Sequence, residues 1–151
     1  MLFRLTAAFL TTPMAEDWKA RLREAQGDVF ERLPEARKLR EKLLSIGGEE
    51  VNVRGVPPYE LARLVKRGEM WPGKGSKFVR MEPIRCHQNS LALWEAGKGD
   101  IANGFALSPD GLWREHSWVV SGDRVIETTV RRVAYYGARL SKAEIIEEYE
   151  Y

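Results

Sequence analysis

A chain of 151 residues with 44% hydrophobic and 30% charged residues has the size and balance of one globular domain that closes a core without disulfides. The net charge of +2 makes no case for nucleic acid, and a single cysteine excludes an internal disulfide, so the expected compartment is the reducing cytoplasm. No stretch reaches the roughly eighteen apolar residues of a membrane span, and no cofactor motif is present.

The opening "MLFRLTAAFLTTPMA" has a short apolar run broken by Arg4 and almost no leading positive charge, so it is not read as a secretory signal. "AEDWKARLREAQGDVFERL" places Trp18, Leu22, Ala25, Val29, Phe30 and Leu33 near helical spacing, with Gly27 expected to end one helix and Asp28 to begin another. Pro34 opens a further helix, "PEARKLREKLLSIGG", stopped by Gly47 and Gly48. "VNVRGVPPY" reads as a short strand or extended loop, "YELARLVKRG" as a helix closed by Gly68, and "MWPGKGSKFVRMEPIR" as a loop. The clusters "RKLREK" and "VRR" read as solvated faces.

"CHQNSLALWEAG" is then a helix opening on Cys86 and ending near Gly97, with Leu91 and Trp94 available to a core. From residue 101 the period changes to that of strands: "IANGFAL", "WREHSWVV", "RVIETTV" and "VAYYG", joined through the turn signals "SPDG" and "SGD", predict an antiparallel meander. Ser141 with Glu144 three residues on forms a capping box for the last helix, 141–149. The whole is an α+β single domain, 1–151. A mostly helical layer or cap over 1–70 packs on a C-terminal antiparallel sheet, with a cysteine-helix and sheet core over 83–137.

Three polar residues follow one another on suitable elements: Cys86 at a helix start, His116 in a strand and Glu127 in the next. A helix N-terminus and a nearby imidazolium both favour thiolate. A Ser121-Gly122 loop would pair 120 with 123 and set His116 opposite Glu127. A Gly122-Asp123 loop would pair 121 with 124 and make them diagonal neighbours on one face. A three-residue loop would send them to opposite faces. In the two favourable registers Glu127 orients the imidazole, and His116 takes the thiol proton and later gives one to the leaving group. Each residue also has a plain reading, as buried thiol, bonded strand histidine and solvent-facing glutamate.

"CHQNSLALW", "GFALSPDGLWREHSWVV" and "RVIETT" together resemble the core of the papain-like and transglutaminase-like cysteine enzymes. In that superfamily a cysteine opens a helix, a histidine lies on a following strand, often as H-x-W, and an acidic or amide residue lies on the next. The resemblance covers about residues 83–137 and implies acyl transfer or amide hydrolysis through Cys86, His116 and Glu127, as in a protease, amidase, deamidase or transglutaminase. Its expected partner is a peptide, protein or small amide substrate, with no cofactor. The papain branch places a glutamine several residues before its cysteine, and the sixth residue before Cys86 is Arg80. The oxyanion donors therefore fall to the Cys86 backbone N–H and to the side chains of Gln88 or Asn89, the latter also a stabiliser of the helix start.

A zinc set of Cys86, His87 and His116 is disfavoured, because adjacent helical residues diverge by about 100°. His87 reads as a polar residue at the helix edge. Trp94, Trp113, Trp118, Tyr135 and Tyr136 read first as core and second as walls of an acyl groove, with Trp118 beside His116 in either case. Arg131 and Arg132 fit a solvated strand edge or an acidic ligand. The reading from a different class is a non-catalytic binding or assembly module that retains the fold.

Overall fold

The computed structural model describes residues 17–150 in full and 2–16 by backbone alone; the stretch weighed above as a signal lies outside the fully described residues. The first helix, α1 (Leu2–Arg32), runs unbroken through Gly27, where a break was expected. A Cβ at Gly27 would meet nothing, so the glycine lies on an open side of the helix. Its weak helix propensity, about 1 kcal/mol, is offset by the packing of its neighbours Leu22, Gln26, Val29 and Phe30. Pro34 holds Leu33 in an extended conformation and starts α2 (Pro34–Ile46), which buries Ala36, Leu39 and Leu43. The edge strand segment β1 (Glu50–Asn52) and α3 (Pro58–Arg67), with Leu61 and Leu64 inward, complete this half.

The expected loop over 70–85 holds two short strands, β2 (Glu69–Pro72) and β3 (Lys77–Phe78). Both lie at outer edges of the sheet, where Pro72 is tolerated because one side of the strand needs no donor. Helix α4 (Cys86–Glu95) precedes β4 (Asp100–Leu107), β5 (Leu112–Ser121), β6 (Arg124–Glu127), β7 (Ala134–Arg139) and α5 (Lys142–Glu148). The Ser141–Glu144 capping box of α5 is formed on both sides.

The fold is α+β, but the sheet is mixed and curled rather than antiparallel throughout. Its order is β2-β7-β4-β5-β6-β3, with β1 also paired to β5; β1 and β3 run parallel to their partners. Nor is it a simple meander, since β7 crosses back to pair with β4. The reason lies in the glycines Gly104 and Gly137, which face each other in this pairing. A Cβ on Gly104 would stand 2.2 Å from the Tyr136 carbonyl oxygen, and one on Gly137 would stand 2.6 Å from the Trp118 ring. Only bare backbone lets β7 approach while Trp118 lies across it.

One sheet face packs Phe105, Trp113, Tyr136 and Ala138 against α2 and α3. The other gathers Trp71, Trp118, Val120, Val125 and Tyr135 inside the curl. A third cluster joins Ile101, Leu140 and Ile145 to Leu91, Trp94 and Tyr149, and holds α4 and α5. α1 is fastened to β1 by the buried Gln26, which donates to the Val51 carbonyl and accepts from Val53 N–H. Buried Glu50, paired with Arg23 and Arg40 at 2.8 Å each, adds to this fastening.

One consequence of the topology positions the site. β4 covers one edge of β5 over 113–120, so β1 and β6 must share the other. There β1 reaches only Leu112–Arg114 and β6 only Val119–Ser121, leaving residues 115–118 without a strand partner. No helix among the described residues is long and apolar enough to cross a membrane.

Candidate active site

The β5–β6 hairpin turns through Gly122 and Asp123, pairing Ser121 with Arg124, Val120 with Val125 and Val119 with Ile126. Of the two favourable registers this is the diagonal one, and it puts Glu127 on the face of His116. His116 Nε2 lies 2.9 and 3.1 Å from the two Glu127 carboxylate oxygens. Because an ionised carboxylate only accepts, Nε2 carries the hydrogen. Among the described residues Nδ1 has no hydrogen-bonding partner.

Glu127 is wholly buried and fully satisfied. Its second oxygen accepts from Thr128 N–H, Thr129 N–H and the Thr129 hydroxyl at 2.9–3.1 Å, while Tyr135 donates to the first at 2.9 Å. Arg132 stands 3.8 Å away. Burial pushes this carboxyl up, but the hydrogen bond and charge of His116, the Thr129 N–H and the Tyr135 hydroxyl outweigh it and hold the acid down at about 2. Burial and the Glu127 charge push the Tyr135 phenol up, so it stays a donor. Trp118 (6.0 Å, 27°) and Tyr135 (6.5 Å, 26°), whose own ring centroids are 4.9 Å apart, lie side by side against the imidazole with nearly parallel planes.

Cys86 opens α4 as expected. The preceding Arg85 supplies no side-chain cap, and Ile84, 97% exposed, adopts φ +63°, a conformation that a β-branched residue rarely takes. The thiol sits at the unpaired stretch of β5. The nearby backbone N–H groups of Ser117 and His87 favour thiolate. Burial is the larger influence and, with the charges of Glu115 and Glu127, pushes the thiol up. That reverses the direction expected from a helix N-terminus and a neighbouring imidazolium. The fold thus joins His116 to Glu127 and brings Cys86 to the N–H of the next residue, Ser117. Among the described residues the thiol forms no hydrogen bond to the imidazole.

Asn89 is buried, and its amide nitrogen donates to the Glu82 carbonyl at 2.8 Å and the Thr128 hydroxyl at 3.2 Å. Both its N–H bonds are engaged, so it ties the helix start to the end of β6 and is not an oxyanion donor. Gln88 is exposed on the first turn of α4, and the Cys86 N–H there is free of intrahelical partners by position. Trp113 and Tyr136 are core residues, with the Trp113 indole donating to the Gly47 carbonyl, and Trp94 is partly buried against the cluster of Ile101, Leu140 and Ile145. Arg131 lies over the Phe78 ring.

Sequence reasoning did not assign Tyr135 or Thr129 to Glu127; the only trace was that "ETT" follows the acid directly. It also missed a second pair, His87 Nε2 with Glu115 at 3.0 Å. The Glu115 hydrogen bond raises His87, against burial and with help from Glu60 and Glu148. No group of three or more His, Cys, Asp or Glu is placed to hold a metal among the described residues.

No family model, curated protein or solved structure matches the chain.

What the arrangement can do follows from its parts. An imidazole locked in the Nε2–H tautomer presents a basic Nδ1, and a buried carboxylate stabilises the imidazolium that protonation would form. A thiol at a helix start, with backbone N–H groups directed at it, is a nucleophile once its proton is removed.

Proposed function

We propose that the protein is a cysteine-dependent acyl transferase or amide hydrolase of papain-like or transglutaminase-like build, with Cys86 as nucleophile, His116 as base and acid, and Glu127 as the residue that orients the imidazole. The observation that carries this reading is the fully satisfied Glu127 holding His116 by Nε2, with Nδ1 left open. The α+β architecture, with a cysteine-led helix against the histidine strand, is consistent with that superfamily core.

In this mechanism the thiol proton passes to His116 Nδ1 as sulfur bonds to the substrate carbonyl carbon. The carbonyl π pair moves to oxygen, which the Cys86 N–H and Gln88 would meet. Collapse breaks the C–N bond, Nδ1–H protonates the departing amine, and a thioester remains. Water or an amine then releases it, with His116 again taking and returning a proton. Peptide, isopeptide and glutamine side-chain amides all fit this chemistry.

A binding or assembly module that keeps the fold is favoured by one observation: burial and two carboxylates push the thiol up, and no thiol–imidazole hydrogen bond is formed. Alkylation of Cys86 by iodoacetamide, followed by mass spectrometry from about pH 5 to 9, separates the two readings. The enzyme requires a reactive plateau below the ordinary thiol range of about 8.5 that vanishes in His116→Ala. A single titration at or above that range, unchanged by the substitution, would establish the binding module.

A further inference from the structure

Beside β5, between α3, α4 and the C-terminal segment, lies an open cavity of about 650 Å³. Its lining includes four carboxylates, Glu60, Glu115, Glu148 and Glu150, against one arginine, Arg54, and His87. Glu148 is ion-paired with Arg63, and Glu115 with His87. Among the described residues two acceptor atoms in the lining form no hydrogen bond, and the Tyr149 hydroxyl in the same lining forms none either. Glu60 Oε1 is unbonded in a residue only 9% exposed, and Asn103 Oδ1 is unbonded in one only 6% exposed. Buried acceptors left without a donor cost about 1–3 kcal/mol each, so they mark a place where a donor belongs. Val56, Leu91 and the Tyr59 ring supply apolar wall along the same cavity.

We propose that this cavity binds a primary ammonium group on an aliphatic stem, such as a lysine side chain or an alkyl diamine, with Glu60 Oε1 and Asn103 Oδ1 taking its N–H donors, Glu115 supplying charge, and the apolar wall holding the stem. A compact three-donor cation answers two separate unpaired acceptors beside a carboxylate. The electrostatics agree: burial, aided by the Glu115 and Glu148 charges against His87 and Arg63, pushes the Glu60 carboxyl up to about 7. A bound cation would return it to the ionised form. The inference rests on the cavity and not on thiol chemistry, though Glu115 and Tyr149 border both the cavity and the sulfur.

The test is calorimetric titration of the full chain, carrying Cys86→Ser to prevent turnover, with Nα-acetyl-lysine-N-methylamide and its norleucine and arginine counterparts. The lysine compound should bind at least tenfold more tightly than the other two. Glu60→Gln and Glu115→Gln should each weaken it fivefold or more at unchanged melting temperature. At pH 7 binding should release protons, read from buffers of different ionisation heat, and the release should disappear in Glu60→Gln. Equal affinity for lysine and norleucine, tighter binding of the arginine compound, or affinity indifferent to both glutamine variants would each overturn the assignment. Because Cys86 is absent from the assay, none of these outcomes bears on the proposed catalysis.

Discussion

Replacing Glu127 by glutamine removes one charge and forces a choice of orientation. The carboxylate accepts from five donors, and two of them, the backbone N–H groups of Thr128 and Thr129, cannot rotate away. The amide oxygen must therefore stay where Oε2 was, and the NH₂ must take the place of Oε1, 2.9 Å from both His116 Nε2 and the Tyr135 hydroxyl. Tyr135 can turn its hydrogen aside. His116 can satisfy the new donor only by moving its own proton to Nδ1, the nitrogen that the mechanism needs empty. The energetic cost can be worked from the carboxyl itself. Its descent from the ordinary value of about 4.5 to about 2 corresponds to roughly 3 kcal/mol favouring the ionised state in the fold. Glu127→Gln should thus lower stability at pH 7 by about 3 kcal/mol, or about 6–12 °C in melting temperature for a domain of this size. Imidazole ¹⁵N NMR should show the tautomer change, and any activity should fall by about a thousandfold or more through kcat rather than KM. A variant that melts with the wild type and keeps Nε2–H would refute both the charge accounting and the assigned role.

Other consequences concern the stability of the fold. Glu127 and Glu50 both have depressed carboxyls, so their stabilisation is complete above about pH 4.5 and declines as pH falls through their folded values, near 2 for Glu127; denaturant unfolding from pH 6 to 2 should show this slope, reduced in Glu127→Gln. Gln26→Ala should cost about 2–4 kcal/mol in urea unfolding, because it strands the Val51 carbonyl and Val53 N–H in the core; a loss below about 0.5 kcal/mol would mean that α1 does not need this clasp. Ile84→Gly should stabilise the chain by about 0.5–1 kcal/mol, since the left-handed conformation costs a β-branched residue more than glycine costs in entropy, and almost no buried surface is lost. Lower stability in that variant would show that the exposed isoleucine makes a contact that matters.

How far the sequence could carry these conclusions depended on the range of the interaction. The His116–Glu127 pair was legible because strand alternation and hairpin loop length are local, and the Gly122-Asp123 turn was one of two registers that put both on one face. Cys86 at a helix start and the Ser141 cap were legible for the same reason. Tyr135 was not, because its contact with Glu127 requires β7 to cross beyond β4, a pairing set by two facing glycines and a tryptophan from a third strand. The gap in β5 was still less accessible, since its boundary is drawn by β1, more than sixty positions upstream and parallel to its partner. Burial at that stretch, not the helix terminus, is the larger influence on the thiol. A helix terminus is worth about 0.3–1 kcal/mol, less than one pKa unit, whereas burial of an ionisable group can shift it by several. Local reasoning sees the smaller influence and tertiary structure supplies the larger, so the resting Cys86 is pushed up rather than down. The catalytic proposal therefore requires His116 to draw the thiol proton off against that burial already in the free protein, which is what the alkylation plateau below about 8.5 and its loss in His116→Ala would report.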